Sequence, residues 1–204
     1  ILTWLAAEPF RLFFFSGAVW SIIGVSLWPL WHAQALTFYP GITHARLMIE
    51  CFGGAFVAGF LGTAGPRMAT APKLTPVELL ALFALHTAGG ILHLKLMIRE
   101  ADLCFAALLG LLALALIIRV VRFRKEVPPP QMLLALTGLC CGLAGTVMWL
   151  NPDFITGMER YRLSNLLVYQ GLLLMPVLGI GSFLFPRILG GEFGAPDTAG
   201  ARRA

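Results

Sequence analysis

Long apolar runs, separated by short polar or proline-rich stretches, make up most of this chain. Six of the runs have about the 20 mostly apolar residues that a helix needs to cross the hydrocarbon core of a bilayer. The predicted spans are Leu12–Trp31, His44–Ala64, Val77–Met97, Leu103–Val121, Met132–Leu150 and Leu166–Phe185. None of them shows the alternation of polar and apolar residues that is typical of a transmembrane strand. The pattern therefore predicts an all-α, polytopic membrane protein with six transmembrane helices.

The breaks between the runs contain residues that end and begin helices. The stretch EVPPPQ at 126–131 cannot continue a helix, because proline lacks the backbone N–H and clashes with the preceding turn. Before the third span, Thr75 is predicted to cap the helix, with Pro76 and Glu78 in its first turn. We expect residues 1–204 to form a single transmembrane helical domain that ends in a polar tail at 190–204.

The composition excludes a soluble protein. The residues AVILMFWYC make up 58% of the chain, and charged residues only 12%, which is about half their share in a soluble domain. Such a chain has too little polar surface to face water, so the lipid bilayer is its expected environment. The net charge of +5 does not indicate nucleic-acid binding, because the basic residues lie between apolar runs and form no basic face.

The distribution of Lys and Arg predicts how the helices are oriented. Ten of the 15 basic residues fall on the side of the membrane where the first span begins, and five on the opposite side. We name the opposite side, where the first span ends, end B. Because cytoplasmic loops are enriched in Lys and Arg, we expect both termini in the cytoplasm. End B would then lie at the periplasmic face of a bacterial inner membrane.

Alternating helix directions bring histidines of separate spans to one level. The first and third spans run toward end B and the second begins there, so His32, His44 and His93 should all lie close to that end. Glu50 is six residues deeper than His44, and His86 seven residues deeper than His93. At 1.5 Å per residue these offsets are about 9 and 10 Å. Glu50 and His86 should therefore share a second level.

These residue types indicate a cofactor or metal site that opens toward end B. A carboxylate inside a helix bundle costs roughly 2.5–3.5 kcal/mol on insertion scales, so it normally faces a partner in the bundle interior. Imidazole groups, and thioethers such as that of Met48 one turn after His44, are ligands that haem iron and copper accept. The candidate cofactor-binding residues are His44, His86, His93, Met48 and Glu50. The candidate metal ligands are His44, His93 and His32.

Other functions stay open at this point. Glu50 and His86 at one depth are also the arrangement expected of a proton or substrate relay in a small transporter or channel without a cofactor. Polar packing in a structural subunit of a larger complex is a third hypothesis. The sequence contains no Walker motif and no Ser–His–Asp order, so no catalytic residue is assigned and enzymatic turnover is left open.

Two segments of the chain resemble each other. Residues 44–67 can be aligned with 164–187 without gaps, and both segments are rich in glycine and end in Pro–Arg. In this alignment Glu50 meets Gln170. Two short glycine-rich apolar segments can match by chance, so this weak similarity is only suggestive of an internal repeat.

Two further sequences carry a family resemblance. The stretch PFRLFFF at 9–15, followed by HARLMIECFGGAFVAGFLGTAGPR at 44–67, resembles the NnrS family of bacterial membrane proteins. The shared pattern is a His, a Met four residues later and a Gly-Phe-Leu-x-Thr-Ala run before Pro. It makes His44 and Met48 motif positions, without assigning their roles as ligands.

The resemblance implies a function and a partner. It implies an inner-membrane protein associated with haem, copper or both, and with the response to nitric oxide and nitrosative stress in denitrifying and related bacteria. Nitric oxide is then an expected ligand. Members of that family are usually about twice as long as this chain, which makes a homodimer or a second half-bundle an expected partner.

Overall fold

The computed structural model describes residues 1–151, 153 and 157–189, and every regular element in this part of the chain is a helix. The helices are α1 (Leu2–Ala7), α2 (Phe10–His32), α3 (Gly41–Met68), α4 (Pro76–Leu94), α5 (Ile98–Phe123), α6 (Gln131–Leu150) and α7 (158–188). Helices α2 to α7 each contain a stretch that is long and apolar enough to cross a membrane. The prediction of an all-α protein with six membrane spans is therefore confirmed. The predicted polar tail at 190–204 lies outside the described residues.

The helix ends differ from the predicted span ends, because helical hydrogen bonds do not stop where the apolar run stops. Helix α5 begins at Ile98 rather than Leu103, so it includes Asp102 in its second turn. Helix α4 ends at Leu94, three residues before the predicted end. There the Lys95 N–H caps the carbonyls of the last turn, and Leu96 turns the chain with a φ of 61°.

The predicted cap of α4 is present and connects to a buried ion pair. Thr75 Oγ1 accepts a hydrogen bond from the Glu78 N–H at 3.2 Å, and the Glu78 carboxylate accepts one from the Thr75 N–H at 2.7 Å. The same carboxylate pairs with Arg119 of α5 at 2.6 Å. Since α4 begins and α5 ends at this contact, the two helices run antiparallel, as the alternating span directions predict.

Helices α3 and α7 share an interruption of the α-helical hydrogen bonding. A π-helical stretch covers Leu47–Gly53 in α3 and Leu166–Gly171 in α7. The gap-free alignment places 47–53 onto 167–173, so the two stretches overlap; a third π-helical stretch, Arg119–Phe123, ends α5 outside the aligned segments. Short π-helical turns inside α-helices occur frequently at functional sites, and Glu50 lies in the first of these two.

Glycines allow α6 and α7 to pack closely. A Cβ added to Gly145 of α6 would lie 2.5 Å from the Val168 side chain and 2.8 Å from the Ser164 carbonyl oxygen, both in α7. In lipid, where burial from water does not drive helix association, such close packing is a main source of stability. Gly110 of α5 differs, since a Cβ there would meet nothing within 4 Å.

We expect Gly145→Ala to lower the free energy of unfolding by about 1–3 kcal/mol, because the added methyl group overpacks the contact of α6 with α7. The measurement is thermal unfolding of the purified protein in detergent, followed by the loss of its monodisperse elution peak. Gly110→Ala is the matched control and should leave the stability unchanged or slightly higher, because alanine is the better helix former. Equal losses in the two variants would contradict this account of the packing.

Candidate functional site

Charged side chains of three helices meet inside the bundle near end B. Arg46 of α3 lies between two carboxylates, with guanidinium nitrogens 3.5 Å from Glu50 and 3.4 Å from Asp102 of α5. His93 Nε2 of α4 lies 3.0 Å from a carboxyl oxygen of Glu50 and donates to it when that carboxyl group is ionised. The side chains of Glu50, His93 and Asp102 are at most 5% exposed. We call Arg46, Glu50, His93 and Asp102 the end-B cluster.

Aromatic side chains of α6 and α7 close one side of the end-B cluster. The guanidinium carbon of Arg46 lies 3.2 Å from the ring centroid of Trp149, in a cation–π contact. Tyr169, in the π-helical stretch of α7, packs on Trp149 with ring centroids 5.9 Å apart and lies beside Arg46. Five helices, α3 to α7, therefore contribute side chains to this region.

The end-B cluster is short of one positive charge. One guanidinium faces two carboxyl groups, so one negative charge remains when both are ionised and His93 is neutral. Within the described part of the chain, four atoms of the cluster are buried without a hydrogen-bond partner: Arg46 Nη1 and Glu50 Oε1, which face each other at 3.5 Å, and Asp102 Oδ1 and His93 Nδ1. Buried polar atoms are normally hydrogen-bonded, and an uncompensated buried charge is costly. The arrangement is therefore suited to take up a cation or a proton.

His44 and Met48 lie on another face of α3, against α2. His44 Nδ1 is 2.9 Å from the Gly24 carbonyl oxygen. Because a carbonyl can only accept, Nδ1 carries the hydrogen, and Nε2 of the neutral ring keeps a free electron pair. Met48 Sδ lies 3.3 Å from the position that a Cβ on Gly24 would take. The two motif positions thus meet at the same glycine of α2.

Aromatic rings surround His44 at end B. Its ring packs edge-on against Trp28, with centroids 5.7 Å apart, and Tyr39 packs against both Trp28 and Trp31. His32 is exposed at the end of α2 and packs on Trp31 at 5.0 Å. His32 and His44 therefore border one aromatic group.

His86 lies deeper in the bundle and is almost fully buried, with 3% of its surface exposed. The Ser16 hydroxyl donates to the Phe13 carbonyl at 3.2 Å, so its oxygen is placed to accept from His86 Nε2 at 3.0 Å. A cavity of about 10 Å³, roughly enough for one water molecule, is lined by both His86 and Glu50. The two residues of the predicted second level thus line one cavity, while the hydrogen-bond partner of Glu50 is His93.

The structure divides the predicted site residues among separate surroundings. Glu50 and His93 belong to the end-B cluster, His44 and Met48 contact α2 at Gly24, and His86 bonds to α2 one level deeper. His32 lies at the exposed edge of the aromatic group.

Sequence reasoning missed Asp102 and Arg46. The predicted fourth span begins at Leu103, one residue after Asp102, and hydropathy gives Arg46 no role beyond topology. The spacing of Arg46 and Glu50 could have indicated their ion pair, because residues four apart are neighbours on one helix face.

An apolar groove of about 470 Å³ lies elsewhere, between α2, α3 and α7. Its walls are mainly aromatic and aliphatic side chains, among them Phe14, Phe52 and Phe60, and none of the four histidines lines it. This groove therefore offers no imidazole ligand to a metal or to haem.

Fold and site together define a class: a helical membrane protein with six spans and a buried charged cluster at one end of the bundle. Within that class, the chain belongs to the NnrS family, because the family model described as NnrS protein matches residues 4–201. This match confirms the resemblance seen at 9–15 and 44–67 and extends it over nearly the whole chain. No curated protein and no solved structure matches the chain.

We expect Arg46→Gln to lower the free energy of unfolding by about 3–5 kcal/mol, because it leaves two buried carboxylates without their cation. The matched control is Arg99→Gln, which removes an exposed arginine of α5 and should change stability little. Unfolding is measured by titration with a denaturing detergent. Combining Arg46→Gln with Glu50→Gln and Asp102→Asn should recover much of the loss, and a larger loss in the combination would contradict the pairing.

Proposed function

We propose that this NnrS-family membrane protein binds haem, copper or both at end B, at the periplasmic face of a bacterial inner membrane, and acts in the response to nitric oxide. Family membership supports the link to nitric oxide. The observation that supports cofactor binding is the hydrogen bond from His44 Nδ1 to the Gly24 carbonyl. Metal-ligating histidines almost always donate their other ring N–H to a carbonyl, a carboxylate or water, which fixes the tautomer and the ring orientation.

The side chains beside Gly24 fit these two metals. His44 offers an imidazole nitrogen with a free electron pair, and Met48 offers a thioether sulfur one helical turn further along α3. Both donor types are ligands of haem iron and of copper. A bound haem or copper ion would supply a metal that takes nitric oxide as a ligand. His44 would hold that metal, Gly24 would keep the imidazole oriented, and Trp28 would restrict rotation of the ring.

The other predicted ligands are less available. His93 donates from Nε2 to Glu50, and the Nε2 of His86 is bonded to Ser16. Using either Nε2 as a ligand means giving up a buried hydrogen bond, which costs about 1–3 kcal/mol when the partner is left unsatisfied. We therefore propose His44 as the principal cofactor ligand, with Met48 beside it and His32 as the nearest further imidazole along the aromatic group.

We expect His44→Ala to lower the haem or copper content of the purified protein at least about tenfold, the loss typical of disturbing a metal site. Met48→Leu, which keeps the side-chain volume, should shift the absorption spectrum, or should lower the copper content by less than His44→Ala does. The measurements are visible absorption and metal analysis of the same preparations. His32→Ala is the comparison variant: this exposed histidine lacks the bond to Gly24 and is at most a secondary ligand, so the variant should retain most of the cofactor.

Two results would contradict this assignment. One is a wild-type protein without haem and without copper, and the other is an unchanged content in His44→Ala. The mass of the protein in detergent, measured in the same experiment, tests whether one copy or two form the bundle. Survival of cells exposed to a nitric oxide donor, compared between wild type and His44→Ala, tests the physiological role.

One observation favours a second candidate function, a proton relay. Glu50 and His86 line the same water-sized cavity. Glu50 is also hydrogen-bonded to His93, which extends the chain of ionisable groups by one residue. A chain of ionisable groups inside a bundle is typical of proton pathways.

We expect a relay to raise the proton permeability of vesicles that contain the protein, measured with an internal pH-sensitive dye. Glu50→Gln and His86→Gln should return it to the level of empty vesicles, while the exposed-site control Glu100→Gln should not. Wild-type vesicles as impermeable as empty ones would exclude this function.

A further inference from the structure

We propose that the end-B cluster is a binding site for a divalent first-row transition metal ion, held by Glu50, His93 and Asp102. This site is separate from the haem or copper site proposed at His44 and does not depend on it. The two places use different faces of α3: His44 is directed at α2, and Glu50 is directed at α4 and α5.

The geometry of the three side chains is close to that of a metal site. One donor atom each from Glu50, His93 and Asp102 lies within 4.8 Å of the others, and all three residues are buried. In tetrahedral geometry, ligand atoms about 2.0–2.2 Å from one ion are about 3.3–3.6 Å apart, so the outermost donors must approach each other by about 1 Å. Small side-chain adjustments therefore suffice to close the site. The donors are positioned by three different helices, which are more rigid supports than loops.

Charge and hydrogen bonding supply a second, independent argument. With both carboxyl groups ionised the cluster has one negative charge in excess, and Asp102 Oδ1 finds no hydrogen-bond partner among the described residues, while Glu50 Oε1 has only Arg46 Nη1 at 3.5 Å, outside hydrogen-bond geometry. A cation placed between the carboxylates would compensate the excess negative charge and bind the unpartnered oxygen atoms. His93 can join through Nε2 as the tautomer with its hydrogen on Nδ1, and the Glu50 oxygen that loses its bond to Nε2 then binds the same ion. The Nδ1–H finds no acceptor among the described residues, which lowers the expected affinity.

The donor set selects the kind of metal. One imidazole and two carboxylates, without a thiolate or thioether, suit Zn²⁺, Fe²⁺ or Mn²⁺ better than Cu⁺. Three protein donors also leave coordination positions open, as in catalytic rather than structural sites. Arg46 stands 3.4–3.5 Å from both carboxylates and offsets part of their charge, so moderate affinity is expected.

The test is direct metal binding to the purified protein after removal of metals with a chelator. We expect saturable binding of one Zn²⁺ per chain by equilibrium dialysis, and visible absorption on addition of Co²⁺ that Zn²⁺ abolishes. Asp102→Asn and His93→Gln should each weaken binding at least about tenfold. Glu100→Gln is the matched control, because it removes an exposed carboxylate two residues before Asp102 on the same helix.

Each outcome decides the proposal. The proposal is supported if the protein binds one Zn²⁺ per chain, and if Asp102→Asn weakens that binding whereas Glu100→Gln does not. Absence of saturable binding to the wild type, or the same affinity in Asp102→Asn, overturns it and leaves a proton as the missing charge. If Asp102→Asn does not give a folded protein by circular dichroism, Glu50→Gln replaces it with the same expected outcomes. Zinc binding without haem or copper would defeat the proposed function alone, whereas a cofactor without zinc binding would defeat this inference alone.

Discussion

The pairing of Arg46 with Glu50 and Asp102 is the interaction on which the structure of end B depends. Hydrocarbon offers no water to solvate a charge, so a charged side chain inside the bundle must face an opposite charge or another polar group. The two carboxylates come from α3 and α5, and the guanidinium also packs on Trp149 of α6. Apolar side chains gain little by leaving lipid for each other. The charged contacts therefore specify how these three helices are rotated about their axes.

The opposite end of the bundle shows what a completed ion pair looks like in the same protein. There Arg119 donates to both oxygens of Glu78 at 2.6 and 2.9 Å, and its remaining donors reach backbone carbonyls. One cation meets one anion, and the geometry is that of strong, charge-assisted hydrogen bonds. At end B the distances from Arg46 are longer, two carboxyl groups face one guanidinium, and buried polar atoms of both signs lack hydrogen-bond partners in the described structure. The contact of Arg119 with Glu78 therefore stabilises the fold, whereas the end-B cluster is suited to bind a cation or a proton.

Helix α3 connects the two proposed sites. His44 and Met48, four residues apart, follow the face that contacts α2, whereas Arg46 and Glu50, also four apart, follow the face that contacts α4 and α5. The π-helical stretch begins between Arg46 and Glu50 and changes the helical repeat at that point. The two faces also differ in chemistry: imidazole with thioether on one, imidazole with carboxylates on the other. One helix can therefore support two metal environments with different preferences.

The sequence by itself determined the six spans, the cap at Thr75 and Glu78, and the end of the bundle at which His44 and His93 lie. These features depend on hydropathy, local hydrogen bonding and the order of the spans, all of which can be read along one dimension. Depth along a helix also brought Glu50 and His86 to one cavity. Only the tertiary structure decided that Glu50 bonds His93, that His44 turns to Gly24, and that Arg46 and Asp102 belong to the cluster. Those contacts depend on the rotation of each helix about its axis. Packing and the charged contacts between helices set that rotation together, and neither can be read from the sequence of a single span.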